Sequence, residues 1–210
     1  MISVVTPAYN AARFIQETVK SVQRQTYQDW EMLIVEDCSS DDTVQIVRNL
    51  AAEDARIRLF ALEENVGAAE ARNIAFRHAN GQYIAFLDSD DLWLPEKLEK
   101  QLRFLQENNY AFTYTDYECI TEDGSAVLYT VHAPAEIGYR RFLRNTTIGT
   151  LTVMIDREKT GDFEMPQIRS SHDIALWLAL MRKGHKAFGL QEVLAQYRQV
   201  GTSNTASKWK

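Results

Sequence analysis

Ile2-Ser3-Val4-Val5-Thr6-Pro7-Ala8-Tyr9-Asn10 opens the chain as an apolar, β-branched run that stops at a proline and a turn-forming asparagine. Ile2 to Thr6 therefore reads as a buried strand. Asn10 stands where a helix cap belongs, ahead of Phe14, Ile15, Val19 and Val22 at helical spacing. The same alternation continues outward from there. Met32 to Val35 is a second strand, and Ser39, Ser40, Asp41 and Asp42 cap a helix carrying Val44, Val47 and Leu50. Ile57 to Leu62 is a third strand and Gly67 to Ala79 an alanine-rich helix. Tyr83 to Leu87 is a fourth strand, and Pro95 starts a helix through Leu98, Leu102 and Leu105. Strands alternating with helices predict an α/β fold with a doubly wound, parallel sheet, whose ligands sit in the crevice at the carboxyl ends of the strands.

Beyond residue 110 the pattern is less regular. Ala111 to Tyr117 and Ala126 to Val131 flank Glu122-Asp123-Gly124 and read as a hairpin. A basic helix near Tyr139 to Arg144 follows, then a strand from Leu151 to Ile155. Ile174 to Met181 is apolar on every face, which predicts a helix buried all round. No repeat, linker or low-complexity tract divides the 210 residues, so 1–210 reads as a single domain with two functional halves, 1–110 and 111–210.

Hydrophobic residues make up 45% of the chain, enough for a sizeable core, and the formal charge of −6 offers no basic footprint for nucleic acid. That charge is unevenly spread. Residues 1–138 carry 11 Lys/Arg against 23 Asp/Glu, whereas residues 139–210 carry 12 against 6. The basic second half is either an uneven solvated surface or a face that meets anionic lipid or an anionic acceptor. The amino terminus has no signal-peptide pattern, and no run approaches the ~18–20 apolar residues that span a bilayer. Cys38 and Cys119 lie 81 positions apart without metal or disulfide spacing, so a reducing, cytoplasmic setting is expected.

Several chemistries lose their sequence support. No two of the nine glycines make a G-x-G, Leu190 stands where a P-loop on Gly184 and Gly189 needs lysine, and neither G-x-S-x-G nor H-E-x-x-H occurs. What remains is a set of strand-end carboxylates: Glu36 and Asp37 after the second strand, and Asp88, Asp90 and Asp91 after the fourth. Four or five acids converging on one edge repel one another unless a cation joins them. Oxygen ligands favour Mg²⁺ or Mn²⁺, ions that bind through one or two carboxylates plus substrate phosphates. On spacing alone, Asp88 to Asp91 could instead cap the helix that begins near Pro95.

Four segments together carry a resemblance. Ser3-Val4-Val5-Thr6-Pro7-Ala8-Tyr9-Asn10, Val35-Glu36-Asp37-Cys38-Ser39-Ser40-Asp41-Asp42-Thr43, Asn65-Val66-Gly67-Ala68-Ala69-Glu70-Ala71-Arg72-Asn73 and Phe86-Leu87-Asp88-Ser89-Asp90-Asp91 resemble, in order, the motifs of family 2 glycosyltransferases. His172-Asp173 before Leu176-Trp177-Leu178 extends the likeness. The resemblance implies a GT-A fold: a mostly parallel central sheet with flanking helices and a smaller acceptor-side β/α region. It implies an inverting transfer from a nucleotide diphosphate donor, typically a UDP-sugar, to a hydroxyl of a glycan or lipid-linked saccharide in bacterial surface-polysaccharide assembly. Residues 1–110 would bind the nucleotide-sugar and 111–210 the acceptor.

By the same resemblance, Thr6, Pro7 and Asn10 would line the nucleotide pocket and Asp37 would accept a hydrogen bond from the base. Glu36 stands where an aspartate is common. Arg72 would reach the ribose or phosphate side, and Asp88 and Ser89 would contact the donor. Asp90 would bind the Mn²⁺ or Mg²⁺ that bridges the pyrophosphate. Asp173 would be the general base. By position alone Asp173 is also a helix N-cap. The residue before it is commonly Glu or Gln and here is His172. Trp177 is expected in the core, Arg198 is a candidate phosphate ligand, and acceptor contacts are sought at Ile148-Gly149-Thr150-Leu151-Thr152.

Rival readings are a sugar-phosphate nucleotidyltransferase, which lacks its glycine-rich basic loop here, and a non-catalytic nucleotide-sugar-binding protein. An aspartyl phosphatase would carry its DxD after the first strand. The basic half suits docking at the inner face of the cell membrane. The tail Ser207-Lys208-Trp209-Lys210 is expected to lead into further membrane-docking helices or to end a minimal member.

Overall fold

The structure is a computed structural model describing residues 1–144, 146–168 and 170–201. The tail that ends at Lys210 lies outside the described residues. In chain order the elements are β1 (Ile2–Ala8), α1 (Ile15–Gln23), β2 (Trp30–Glu36), α2 (Thr43–Glu53), β3 (Ile57–Ala61), α3 (Ala68–His78), β4 (Tyr83–Phe86), β5 (Leu92–Trp93) and α4 (Lys97–Glu107). The second half adds β6 (Phe112–Ile120), β7 (Val127–Val131), β8 (Glu136–Ile137), α5 (Tyr139–Phe142), a 3₁₀ turn Thr150–Thr152, β9 (Met154–Asp156), α6 (Arg157–Thr160), α7 (His172–Arg182) and β10 (Ala187–Arg198).

One ten-stranded sheet in the order β3-β2-β1-β4-β9-β6-β10-β5 takes strands from both halves, with β7 paired to β6 and β8 to β10. β3, β2, β1 and β4 are parallel, and so are β6 and β10; β9 runs against both of its neighbours, β4 and β6. The architecture is the mostly parallel α/β sheet expected. β2 and β4 are buried throughout because helices cover both faces. Ile15, Val19, Val22, Val47, Leu98 and Leu105 pack one face. Ala71, Ala75, Phe142, Leu176, Trp177 and Leu180 pack the other.

Three expectations need correction. The Leu151 to Ile155 strand begins later, at Met154, because Thr150–Thr152 is wound into a 3₁₀ turn. α7 buries only Leu176, Trp177, Leu180 and Met181; Ala179 is exposed, since only one side of the helix meets the sheet. Asn10 does not cap α1, which starts at Ile15 behind Phe14. Asn10 adopts a left-handed φ of 48° instead and binds the neighbouring loop.

Candidate active site

The loops after β1 and β2 are stitched together by side chains bonding to main chain. Asn10 Oδ1 accepts from the Ser40 amide at 2.9 Å, and Ser39 Oγ accepts from the Asn10 amide at 2.9 Å. Asp41 takes the Ala12 and Thr43 amides at 3.1 and 3.0 Å, and Thr43 Oγ1 accepts from the Ala11 amide at 2.8 Å. The polar cluster read as a helix cap is therefore mostly a clasp between two loops. Within it, Thr6 is fully enclosed with no partner for Oγ1 among the described residues, Pro7 is half-buried and Asn10 is exposed.

Glu36 and Asp37 are both buried and both bonded to backbone. Glu36 Oε1 accepts from the Ser39 amide at 2.7 Å. Asp37 Oδ1 and Oδ2 accept from Val66 and Gly67 amides at 2.7 and 2.9 Å, fixing the loop ahead of α3. Gly67, with φ of 84°, supplies a conformation that other residues rarely adopt at the start of that helix.

The loop after β4 is held from three sides. Thr18 of α1 donates to the Ser89 carbonyl at 3.0 Å, and Arg198 donates from Nε to the Asp90 carbonyl at 2.8 Å and from its amide to Asp91 Oδ1 at 2.9 Å. Arg198 spends its remaining guanidinium nitrogens on the Glu122 carbonyl at 2.7 Å and Glu17 Oε2 at 2.8 Å. With 1% exposure it has no face to offer a phosphate. Burial lifts the Asp91 carboxyl well above the usual range, and burial together with Asp88 brings Asp90 up to about 6.

Arg72 links the two ends of the cleft. From α3, at 5% exposure, it donates through Nη2 to Asp88 Oδ1 and through Nη1 to His172 Nε2, the latter at 3.0 Å. A guanidinium cannot accept, so Nε2 accepts and the ring proton sits on Nδ1. Burial first, and the Arg72 charge second, push the His172 imidazole below its ordinary value, in the direction that favours the neutral ring. Asp173 follows in the first turn of α7, where Oδ2 accepts from Thr150 Oγ1 at 2.9 Å. Trp177 is fully buried, edge-on to Phe86 with ring centroids 5.2 Å apart, as expected of a core residue.

The site thus gathers Arg72, Asp88, His172, Asp173 and Thr150, with Asp90 on the same loop as Asp88. The four or five strand-end acids do not gather into one cluster. Among the described residues no group of three or more His, Cys, Asp or Glu is placed to hold a metal ion. The Arg72–His172 contact and the Arg198 clamp were not foreseen. Only the adjacency of His172 to Asp173 could have hinted at the first.

Residues 3–164 match the family described as Glycosyl transferase family 2. The chain is 50% identical over its whole length to a putative teichuronic acid biosynthesis glycosyltransferase, TuaG, of Bacillus subtilis (strain 168), covering 83% of that protein. It is 38% identical over its whole length to the Escherichia coli UDP-Glc:alpha-D-GlcNAc-diphosphoundecaprenol beta-1,3-glucosyltransferase WfgD, covering 81% of it. Among solved structures, S. aureus TarS 1-349 in complex with UDP-GlcNAc superposes with a TM-score of 0.78 at 22% identity, over 100% of this chain and 61% of that one. A mannosyltransferase, PcManGT, from Pyrobaculum calidifontis in complex with GDP-Man and Mn²⁺ gives 0.73 at 20% identity, over 99% and 59%. These structural likenesses establish a shared GT-A architecture. With its family motifs in order along one sheet, the chain belongs to glycosyl transferase family 2 and is a glycosyltransferase.

Proposed function

We propose that the chain moves a sugar from a nucleotide diphosphate donor, a UDP-sugar, to a hydroxyl of a glycan or lipid-linked saccharide, with inversion and with Asp173 as general base. The Arg72 bridge between Asp88 and His172 carries the reading, because it ties the DxD loop to the turn of α7 that presents Asp173. Relatives named for teichuronic acid biosynthesis and for glucosyl transfer to a diphosphoundecaprenol acceptor support the substrate classes. A relative fold in complex with UDP-GlcNAc supports the donor class.

The residues fit a hard divalent cation. Asp90 is raised to about 6 by burial and by Asp88, only partly offset by the Arg198 charge, so a cation at its carboxylate would be favourable. Buried Asp91 Oδ2 has no partner among the described residues. Asp90 would hold Mn²⁺ or Mg²⁺, an ion that completes its shell with water and donor phosphates. When bound, it supplies positive charge to the leaving diphosphate. Arg72 adds charge near Asp88. Thr150 aims the Asp173 carboxylate by donating to Oδ2, leaving Oδ1 to take the acceptor proton.

No helix among the described residues is long and apolar enough to cross a membrane. A lipid-linked acceptor would be met at a bilayer surface, which the basic residues 139–210 suit.

Asp173→Asn tests the mechanism. Turnover of UDP-sugars in a donor and acceptor screen should fall ~10²–10⁴-fold while UDP affinity with Mn²⁺ is kept. Undiminished turnover would remove Asp173 as base.

A further inference from the structure

Asp116 and His132 form a pair that the proposed transfer does not use. His132 Nδ1 lies 2.6 Å from Asp116 Oδ2, and Asp116 Oδ1 accepts from the Ala133 amide at 3.0 Å. The carboxylate is 5% exposed and the imidazole 73%. A carboxylate only accepts, so Nδ1 donates and Nε2 is the nitrogen left for a ligand. The ring is therefore a surface group with its orientation set from below.

Register places the pair on the working edge of the sheet. Ile84 of β4 and Phe112 of β6 both pair with Ile155 of β9, so the two strands run level. Four residues further along each chain come Asp88 and Asp116. Side-chain alternation puts Asp116 on the face that buries Phe112 and Tyr114, and the bond from Arg72 of α3 puts Asp88 on the same face, which α3 and α7 cover. Two inter-strand steps separate them, ~10 Å. The turn whose Thr150 holds Asp173 leads into β9, the strand between them. His132 thus stands across the cleft from the donor loop, with the base between.

The surroundings are cationic. Arg140, Arg141 and Arg144 are exposed on and just after α5, which touches α7. Arg141 donates to the Glu136 carbonyl at 3.2 Å, and its charge, like that of Asp116, reaches the Tyr114 hydroxyl. The nearby Glu136 carboxylate is already paired with Lys186 at 2.6 Å. When the ring carries its second proton Nε2 donates, and with the exposed Arg141 guanidinium on the following helix it would offer the kind of charged donors that recognise phosphoryl oxygens.

We infer that His132, oriented by Asp116 and backed by Arg141, binds a phosphoryl group carried by the acceptor, a mono- or diphosphate. The word acceptor rests on the transfer reading; the anion site itself does not. Inorganic pyrophosphate is titrated into the full chain with the donor site filled by UDP and diamagnetic Mg²⁺, and the histidine ring signals are followed by NMR. One signal, missing in His132→Gln, should shift with pyrophosphate. Affinity should fall about tenfold in His132→Gln, the loss of one charge-assisted hydrogen bond. Asp116→Asn, which frees the ring, should weaken it as well, with UDP affinity unchanged in both. If Asp116→Asn does not fold, the exposed His132→Gln decides alone. No shift with pyrophosphate overturns the site, as does a shift seen only with phosphatidylglycerol vesicles, which would assign His132 to a lipid surface. Failure of the wild-type chain to bind UDP would instead tell against the transfer reading.

Discussion

Arg198→Met separates a clamp from a phosphate ligand. In the folded chain the Arg198 guanidinium donates to the Asp90 carbonyl, the Glu122 carbonyl and Glu17 Oε2 at 2.8, 2.7 and 2.8 Å, and it lies over the Phe14 ring at 5.0 Å. Methionine keeps the stem and its packing but removes those donors. Glu17 is 60% exposed, so that ion pair contributes little by itself. The cost comes from two carbonyls left without their donor and from buried Asp91, which loses its nearest cation. Breaking a buried charged network costs ~3–5 kcal/mol. The exposed Glu17 partner argues for the lower end, about 3 kcal/mol. At ~2–4 °C per kcal/mol for a chain of this size, Tm should drop by ~6–12 °C. Thermal unfolding followed by circular dichroism reads the drop, and UDP calorimetry well below Tm reads the site. An unchanged Tm together with lost UDP affinity would refute the clamp and restore Arg198 as a ligand.

Three further outcomes follow from the same geometry. Asp90, raised from 3.8 to about 6, holds in the folded state a proton that the unfolded chain releases earlier. Its contribution favours folding at low pH and is lost as pH rises through about 6, an effect on the order of 3 kcal/mol. Asp90→Asn should therefore melt above the wild type at neutral pH without divalent cation and converge with it in acid; a difference that does not grow with pH would reject the assignment. Thr150→Val removes the bond to Asp173 Oδ2 and should lower turnover about tenfold with UDP affinity intact; a loss equal to that of Asp173→Asn would mean that Thr150 does more than aim the carboxylate. Lys97 is fully buried over the Trp93 ring with no hydrogen-bond partner for Nζ among the described residues, and burial drives its amine toward neutrality. Lys97→Met should stabilise the fold by ~1–3 kcal/mol in urea, and a lower midpoint would contradict that.

The first half of the fold is legible because β1, β2 and β4 are buried on both faces and end at turn chemistry, so apolar runs and breakers coincide. β10 escaped notice for the opposite reason. Its pairing with β6 shifts register between Leu190 and Val193 and again between Val193 and Ala195, and Gln191 and Glu192 are exposed. Bulges break the two-residue period that marks a strand. α7 misled through Ala179 and Leu178, apolar residues that fit a helix of strong propensity without being buried in it.

The site shows the same limit more sharply. Counting acids at strand ends suggested a crowd in need of a metal, because repulsion between carboxylates is all that spacing can register. What spacing cannot register is that each acid meets donors from elsewhere in the chain. Glu36 takes the Ser39 amide, Asp37 the amides of Val66 and Gly67, Asp88 the Arg72 guanidinium and Asp91 the Arg198 amide. These bonds satisfy most of the charge without an ion. Asp90 differs: no other side chain among the described residues is seen bonding to its carboxylate, which burial and Asp88 raise to about 6. Asp90, the metal ligand expected from the sequence, therefore stays the carboxylate best suited to a divalent cation, and a single carboxylate suits an ion that arrives with the donor's phosphates. A metal held so weakly by the protein alone should bind measurably only with the nucleotide. Titrating Mn²⁺ without UDP should give little heat, and tight Mn²⁺ binding to the free chain would show that further protein ligands complete the site.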